Sequence, residues 1–137
     1  MKKISLSDIG FSILIFCGLL NLAFNITNTI KQDDKPVTLE EYKKKIANKD
    51  KVVLVYFSAN WCTVCGKMKP ILEGVEKDFA KKMDVIKIDT ERDKEITLEF
   101  DVDALPAFIL YKKGCVEWTY VGLLENRALR DRIEPFL

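Results

Sequence analysis

From residue 38 onward the chain predicts an α/β fold, a central mixed β-sheet flanked by helices, preceded by one N-terminal hydrophobic helix. Stretches with strand-like and helix-like spacing alternate through residues 38–137, the last two strand-like runs are joined at Lys113 and Gly114, and an uncharged run fills Ile9–Ile26. Strands that alternate with helices favour parallel neighbours, and a terminal hairpin adds an antiparallel edge.

The first segment, residues 1–30, opens with Met1, Lys2 and Lys3 and then carries no charge for 18 residues from Ile9 to Ile26. At about 1.5 Å per residue such a helix nearly crosses a hydrocarbon core of roughly 30 Å. Asn21 and Ala23 make a poor small-x-small cleavage site, so an uncleaved signal-anchor is expected ahead of a cleaved signal peptide. Basic residues at the extreme N-terminus place that end in the cytoplasm and the rest of the chain outside it. Cys17 then reads as a membrane-facing small hydrophobe. Residues 31–37 are polar, contain Pro36 and show no apolar period, as a linker does.

The domain itself spans residues 38–137. Thr38 and Glu41 have the spacing of a capping box, which starts a helix running to about Ala47. Residues 51–58, KVVLVYFS, are nearly all β-branched or aromatic and suit a strand buried on both faces. Met68, Ile71, Leu72, Val75 and Phe79 recur at helical spacing and predict an amphipathic helix to about Lys82, kinked at Pro70. Residues 83–89 form a second strand, and Ile96, Leu98 and Phe100 a weaker helix. Residues 107–113 and 115–122 make the hairpin, and 125–136 a closing helix with Leu129 and Ile133 inward.

Composition narrows the chemistry. With 137 residues, one domain is expected, and 22 basic against 21 acidic residues leave no excess to bind nucleic acid. Histidine is absent, which removes the commonest general base and metal ligand. Attention therefore falls on Cys62 and Cys65, in NWCTVCGKMKP, residues 60–70.

Cys62 follows a buried strand and Trp61 and opens a helix. A helix N-terminus presents unpaired N–H groups and a positive dipole end, which favour thiolate over thiol. Cys62 is accordingly the expected nucleophile, and Cys65, one turn further in, its resolving partner in thiol–disulfide exchange. Two cysteines at this spacing can also be plain packing, but their place at a strand-to-helix turn argues against it. A structural zinc site needs four ligands, and outside the hydrophobic run only Cys115 remains. Cys115 is expected to be a half-buried filler, and Trp118 and Tyr120 to share one face of their strand.

Residues 52–70, VVLVYFSANWCTVCGKMKP, resemble the active-site strand and helix of thioredoxins, including the Trp before the first cysteine and the proline five residues after the second. Residues 100–122, FDVDALPAFILYKKGCVEWTYVG, resemble the segment in which that family opens a strand with a cis proline and follows it with a Lys-Gly hairpin. The resemblance covers about residues 38–137. It implies a thioredoxin fold, a cis Pro106 packed against the Cys62–Cys65 pair, and recognition of an extended substrate segment by Trp61 and the backbone of Leu105. Where the family usually has a buried acid six positions before the first cysteine, and a lysine beside it, this chain has Tyr56 and Val85. Cys65 therefore has no assigned proton acceptor except water. The Thr63-Val64 dipeptide between the cysteines is loosely similar to that of the C-terminal thioredoxin domain of the Dsb-type membrane electron transporter.

The reading that follows is a monomeric protein-disulfide oxidoreductase, held in the bacterial inner membrane by residues 9–26, with its domain facing the periplasm or cell exterior, or secreted if the segment is cleaved. Its expected partners are protein disulfides and an upstream or downstream thiol–disulfide partner, with no cofactor and no metal. Two rivals keep the fold: a non-catalytic peptide-binding or chaperone-like module, and a disulfide oxidase or isomerase.

Overall fold

The structure, a computed structural model, describes residues 35–137; the predicted hydrophobic helix over residues 9–26 and Cys17 lie outside the described residues. Among the described residues no helix is long and apolar enough to cross a membrane.

Helix α1 (Leu39–Ile46) starts where the sequence places it. The Thr38 hydroxyl accepts from the Glu41 N–H at 3.2 Å, and the Glu41 carboxylate accepts from the Thr38 N–H at 3.3 Å. Strand β1 (Val52–Ser58) follows and is buried along six of its seven residues. Helix α2 (Thr63–Phe79) is followed by β2 (Met83–Asp89), α3 (Lys94–Glu99), β3 (Ala107–Lys112), β4 (Cys115–Val121) and α4 (Asn126–Ile133). The strand order is β2-β1-β3-β4, with β1 and β2 parallel and the other two pairs antiparallel, so the sheet is mixed as expected.

Period-two alternation on β1 divides the core. Val52, Leu54 and Tyr56 look toward α2 and α4, in one cluster with Met68, Leu72, Phe108, Leu110, Leu129 and Ile133. Val53, Val55 and Phe57 look the other way, toward α1 and α3, with Tyr42, Ile88 and Ile96. Each fully buried aliphatic or aromatic side chain stabilises the fold by about 1.5–3 kcal/mol relative to exposure. Placing β1 between two such layers is what makes it the axis of the domain.

Some boundaries differ from the sequence expectation, each for a local reason. Helix α2 stops at Phe79 rather than near Lys82, because the Lys82 N–H turns back to the Phe79 carbonyl and the Lys51 ammonium takes the Ala80 carbonyl, reversing the chain into β2. Pro70 sits inside α2 without ending it. The closing helix gives way at Ile133 to a 3₁₀ turn, Glu134–Phe136, since Pro135 has no N–H to continue the α-helical ladder. The hairpin turn carries positive φ at both Lys113 (54°) and Gly114 (83°), the left-handed pair that a tight hairpin between right-twisted strands requires.

Two side chains depart from or add to what the pattern suggested. Cys115 is exposed rather than half-buried: it opens the edge strand β4 at the hairpin tip. Asp93 is almost completely buried and ties three pieces of chain together. Its carboxylate accepts from the Val37 N–H at 3.0 Å, from the Asp89 N–H at 2.9 Å and from the Arg92 guanidinium at 2.9 Å, so the end of β2 holds the entry into α1.

Candidate active site

The loop from β1 into α2 builds the site. Ala59 to Cys62 form a tight turn, with the Cys62 N–H donating to the Ala59 carbonyl at 3.1 Å. This turn throws Trp61 outward, where it is 68% exposed. Cys62 has extended backbone angles, φ −83° and ψ 99°, and is the N-cap of α2. Its Sγ accepts from the Cys65 N–H at 3.1 Å, so a cysteine does here what Ser, Thr or Asp does at other helix starts. No acidic residue occupies the first turn of α2, and nothing there opposes negative charge on that sulfur.

Cys62 and Cys65 are joined as a disulfide, with Cα atoms 5.2 Å apart. The two sulfurs differ in access. Cys62 is half-buried, while Cys65 lies in the core cluster at 5% exposure. Cys62 thus takes the outer position and Cys65 the inner one.

The cis bond expected at the second landmark is present. The Leu105–Pro106 bond is cis, and Leu105 and Cys62 each pack against the core cluster that includes Cys65. Pro106 is buried, and its carbonyl accepts from the Gly122 N–H at 2.8 Å. Gly122, with φ of 119°, lets the end of β4 turn at that contact; a Cβ there would meet the Tyr120 ring at 3.7 Å in a backbone geometry that L side chains rarely adopt. Trp118 and Tyr120 share the inner face of β4, as predicted, and serve packing: the Trp118 indole donates to the Arg132 carbonyl at 3.0 Å, and the Arg132 guanidinium lies over the Tyr120 ring at 4.8 Å.

Beneath the dithiol the sequence reading noted only a departure, and the structure shows what fills the place. The Tyr56 hydroxyl donates to the Cys65 carbonyl at 3.2 Å, in a buried setting. Burial pushes its pKa up to about 12, with a hydrogen bond to Ser58 pulling the other way, so the group is a neutral phenol at neutral pH. Period-two alternation along β1, combined with the α2 start at Cys62, would have put Tyr56 under Cys65; the partner atom it chooses is not in the pattern. Val85, the other departure, is half-buried against the same cluster.

Comparison with known proteins agrees with this geometry. The family model described as Thioredoxin matches residues 33–135. The chain is 39% identical over 103 residues to thioredoxin Y1 of Arabidopsis thaliana, described as chloroplastic, covering 75% of this chain and 60% of that protein. It is 32% identical over 97 residues to the thioredoxin of Rickettsia bellii, covering 71% of this chain and 92% of that one. The chain spans between 60% and 65% of the length of the chloroplastic relatives. Among solved structures it is similar, at TM-score 0.64 and 26% identity over 72% of this chain and 90% of the other, to a chain from work on thiol resolution in yeast mitochondrial 1-Cys peroxiredoxin via glutathione and thioredoxin systems.

Proposed function

This chain belongs to the thioredoxin family, and from that premise we propose that it is a thiol–disulfide oxidoreductase that exchanges or reduces disulfides in extracytoplasmic proteins. The observation that carries the proposal is the pair itself: Cys62 Sγ caps α2 and accepts the Cys65 N–H, and the two cysteines close a disulfide across a single turn.

In the reduced form the N–H groups of the first turn stabilise negative charge on Cys62, which makes it the better nucleophile at neutral pH. Its thiolate attacks a substrate disulfide, releasing one substrate thiolate and forming a mixed disulfide. Cys65 then gives up its proton to solvent and attacks Cys62 Sγ. The Cys62–substrate bond breaks, the second substrate thiolate leaves and is protonated, and the Cys62–Cys65 bridge is restored. Trp61 and the backbone of Leu105 flank the dithiol and receive an extended substrate segment, with Pro106 shaping the floor beside them. An upstream thiol–disulfide partner returns the bridge to the dithiol.

Reduction of insulin disulfides tests the chemistry. Replacing Cys62 by Ser should lower the rate to background, and retention of the wild-type rate would reject the assignment. Replacing Cys65 should let mixed disulfides accumulate on Cys62, visible on non-reducing gels. Equilibration with glutathione buffers sets direction: a potential near about −270 mV fits a reductant and one near about −120 mV an oxidant, while a pair that never cycles leaves only a binding module.

The proposed location rests on the uncharged run Ile9–Ile26 behind Lys2 and Lys3. The protein is then a monomer held in the bacterial inner membrane, with its domain outside the cytoplasm. Carbonate extraction should leave the chain with the membranes, and external protease should remove the domain from spheroplasts. Recovery of a domain protected inside the cell would sink the orientation.

A further inference from the structure

Ahead of α1 the chain is fastened to the dithiol end of the domain. The Val37 N–H donates to the buried Asp93 carboxylate at 3.0 Å, and the same carboxylate takes the Asp89 N–H at 2.9 Å. Asp89 ends β2 in parallel register with Ser58, the end of β1, and the Thr90 N–H that follows donates to the Ser58 carbonyl at 2.9 Å. Ser58 lies just before the turn that carries Trp61 and Cys62. Helix α1 runs away from this end. Ala47, its C-cap, lies at the hairpin tip, where a Cβ on Gly114 would come within 3.8 Å of the Ala47 Cα. Chain entry and dithiol therefore share one end of the sheet, and the hairpin with Cys115 marks the other.

Lengths decide what this means for a tethered domain. The seven residues of β1, at about 3.3 Å each, separate the two ends by roughly 20 Å. Residues 27–36 connect the uncharged run to Val37. They reach about 35 Å when fully extended and roughly 20 Å as a flexible chain. With the tether joined at the dithiol end, that end lies nearest the bilayer. Turning the domain over would draw the linker along the whole length of the sheet, close to full extension, at the cost of most of its conformational freedom.

We infer that the Cys62–Cys65 pair faces the membrane that anchors the chain, and that its partner is a thiol–disulfide protein carried by the same membrane. The inference rests on the oxidoreductase reading and on the proposed anchor, and deepens both by assigning the partner's place. A thiolate of the reduced partner attacks Cys62 of the oxidised pair, and Cys65 leaves as a thiolate and takes up a proton. The partner's second thiol gives up its proton to solvent and displaces Cys62, so the disulfide passes to the partner and two electrons pass to the pair. A partner in the bilayer meets the dithiol within the thin layer that the linker spans, which raises its effective concentration over that of a protein in free solution.

The experiment uses the full chain reconstituted in vesicles of phosphatidylcholine and phosphatidylglycerol, with the domain outside and with Cys17→Ser and Cys115→Ser so that only the pair reacts. Two disulfides are offered to the reduced chain: dipyridyl disulfide in solution, and a phosphatidylethanolamine whose headgroup carries a pyridyl disulfide. Release of pyridine-2-thione reports attack on either one. Inserting about twenty Gly and Ser residues between Asp34 and Lys35 should slow the reaction with the lipid-linked disulfide about two- to fivefold and leave the soluble one unchanged. A lipid-linked rate that stays the same, or rises as it would for a dithiol held away from the bilayer, would overturn the inference while consumption of dipyridyl disulfide keeps the oxidoreductase reading. A chain that consumes neither disulfide would overturn both, and one that carbonate extracts would overturn the anchor and this inference together. The far end gives a second readout. In an oxidised chain that keeps Cys115, a water-soluble maleimide should alkylate this thiol as fast in vesicles as in detergent. Protection that requires phosphatidylglycerol and is lifted by salt would place the exposed Lys81, Lys82 and Lys113 on the lipid instead, and would overturn the inference.

Discussion

Three tyrosines show how a single polar atom is treated inside this core. Tyr42 donates to Tyr111 across the α1 face at 3.0 Å, as Tyr56 donates to Cys65 across the other. Burial pushes the pKa of all three upward; the shared hydrogen bond adds to the rise at Tyr42 and partly opposes it at Tyr111. In the unfolded chain each ionises near its usual value of about 10. A group whose folded pKa is raised stabilises the native state fully below the unfolded value and loses that contribution as pH climbs toward the folded one. Stability should therefore be level up to about pH 10 and fall between about 10 and 12, the upper limit being the value for Tyr56. Urea midpoints measured across that range check the slope, and a Tyr42→Phe, Tyr111→Phe double variant should flatten it. Tyr42→Phe alone should cost about 1–2 kcal/mol at pH 7, because the Tyr111 hydroxyl keeps its burial and loses this partner. The double variant should recover part of that loss, and a double variant less stable than the sum of the two single changes would contradict the pairing.

At the scale of one element, local chemistry decides where structure starts and turns. Thr38→Ala removes a reciprocal pair of cap bonds and should lower stability by about 1 kcal/mol, read as a reduced urea midpoint with unchanged slope. The hairpin offers the opposite test. Lys113 holds φ of 54° without the side chain for it, so Lys113→Asn, which creates Asn-Gly in the turn, should stabilise by about 0.5 kcal/mol or more. Gly122→Ala runs the other way and should cost about 1–3 kcal/mol, since φ of 119° is open to glycine and strained for alanine. These signals were legible because each is complete within four or five residues: the Thr-x-x-Glu box, the Lys-Gly turn and the dithiol after Trp61 need no knowledge of what lies across the sheet. Proline illustrates both outcomes. Likeness to a known segment marks Pro106, whereas Pro135 lies within an apolar pattern that runs on to Phe136, and the helix ends before it.

Across the whole domain, what the sequence left unread is tertiary. The Asp93 carboxylate finds Val37 across 56 positions of chain, and Tyr42 finds Tyr111 across 69. No periodicity encodes such pairings. The exposure of Cys115 escapes the pattern for the same reason, since alternation tells which residues share a face and not which face a helix covers. The alternation on β1 does, however, have a consequence for cooperativity. Its odd-numbered and even-numbered residues enter opposite core layers, so neither layer can loosen without withdrawing the strand from the other. Residues 35–137 should then unfold in one transition rather than layer by layer. Leu54→Ala opens a cavity on the α2 side and should cost about 2–5 kcal/mol, and Val55→Ala does the same on the α1 side at lower cost in proportion to the smaller side chain. In both variants Trp118 fluorescence, which reports the α4 layer, and far-ultraviolet circular dichroism, which reports all helices, should keep a common midpoint while that midpoint falls. A Val55→Ala domain whose circular dichroism fell while its Trp118 signal stayed at the wild-type midpoint would show that the two layers melt apart. In that event the floor under Cys65 would be held by one layer alone, and the site's rigidity would no longer follow from the strand that carries it.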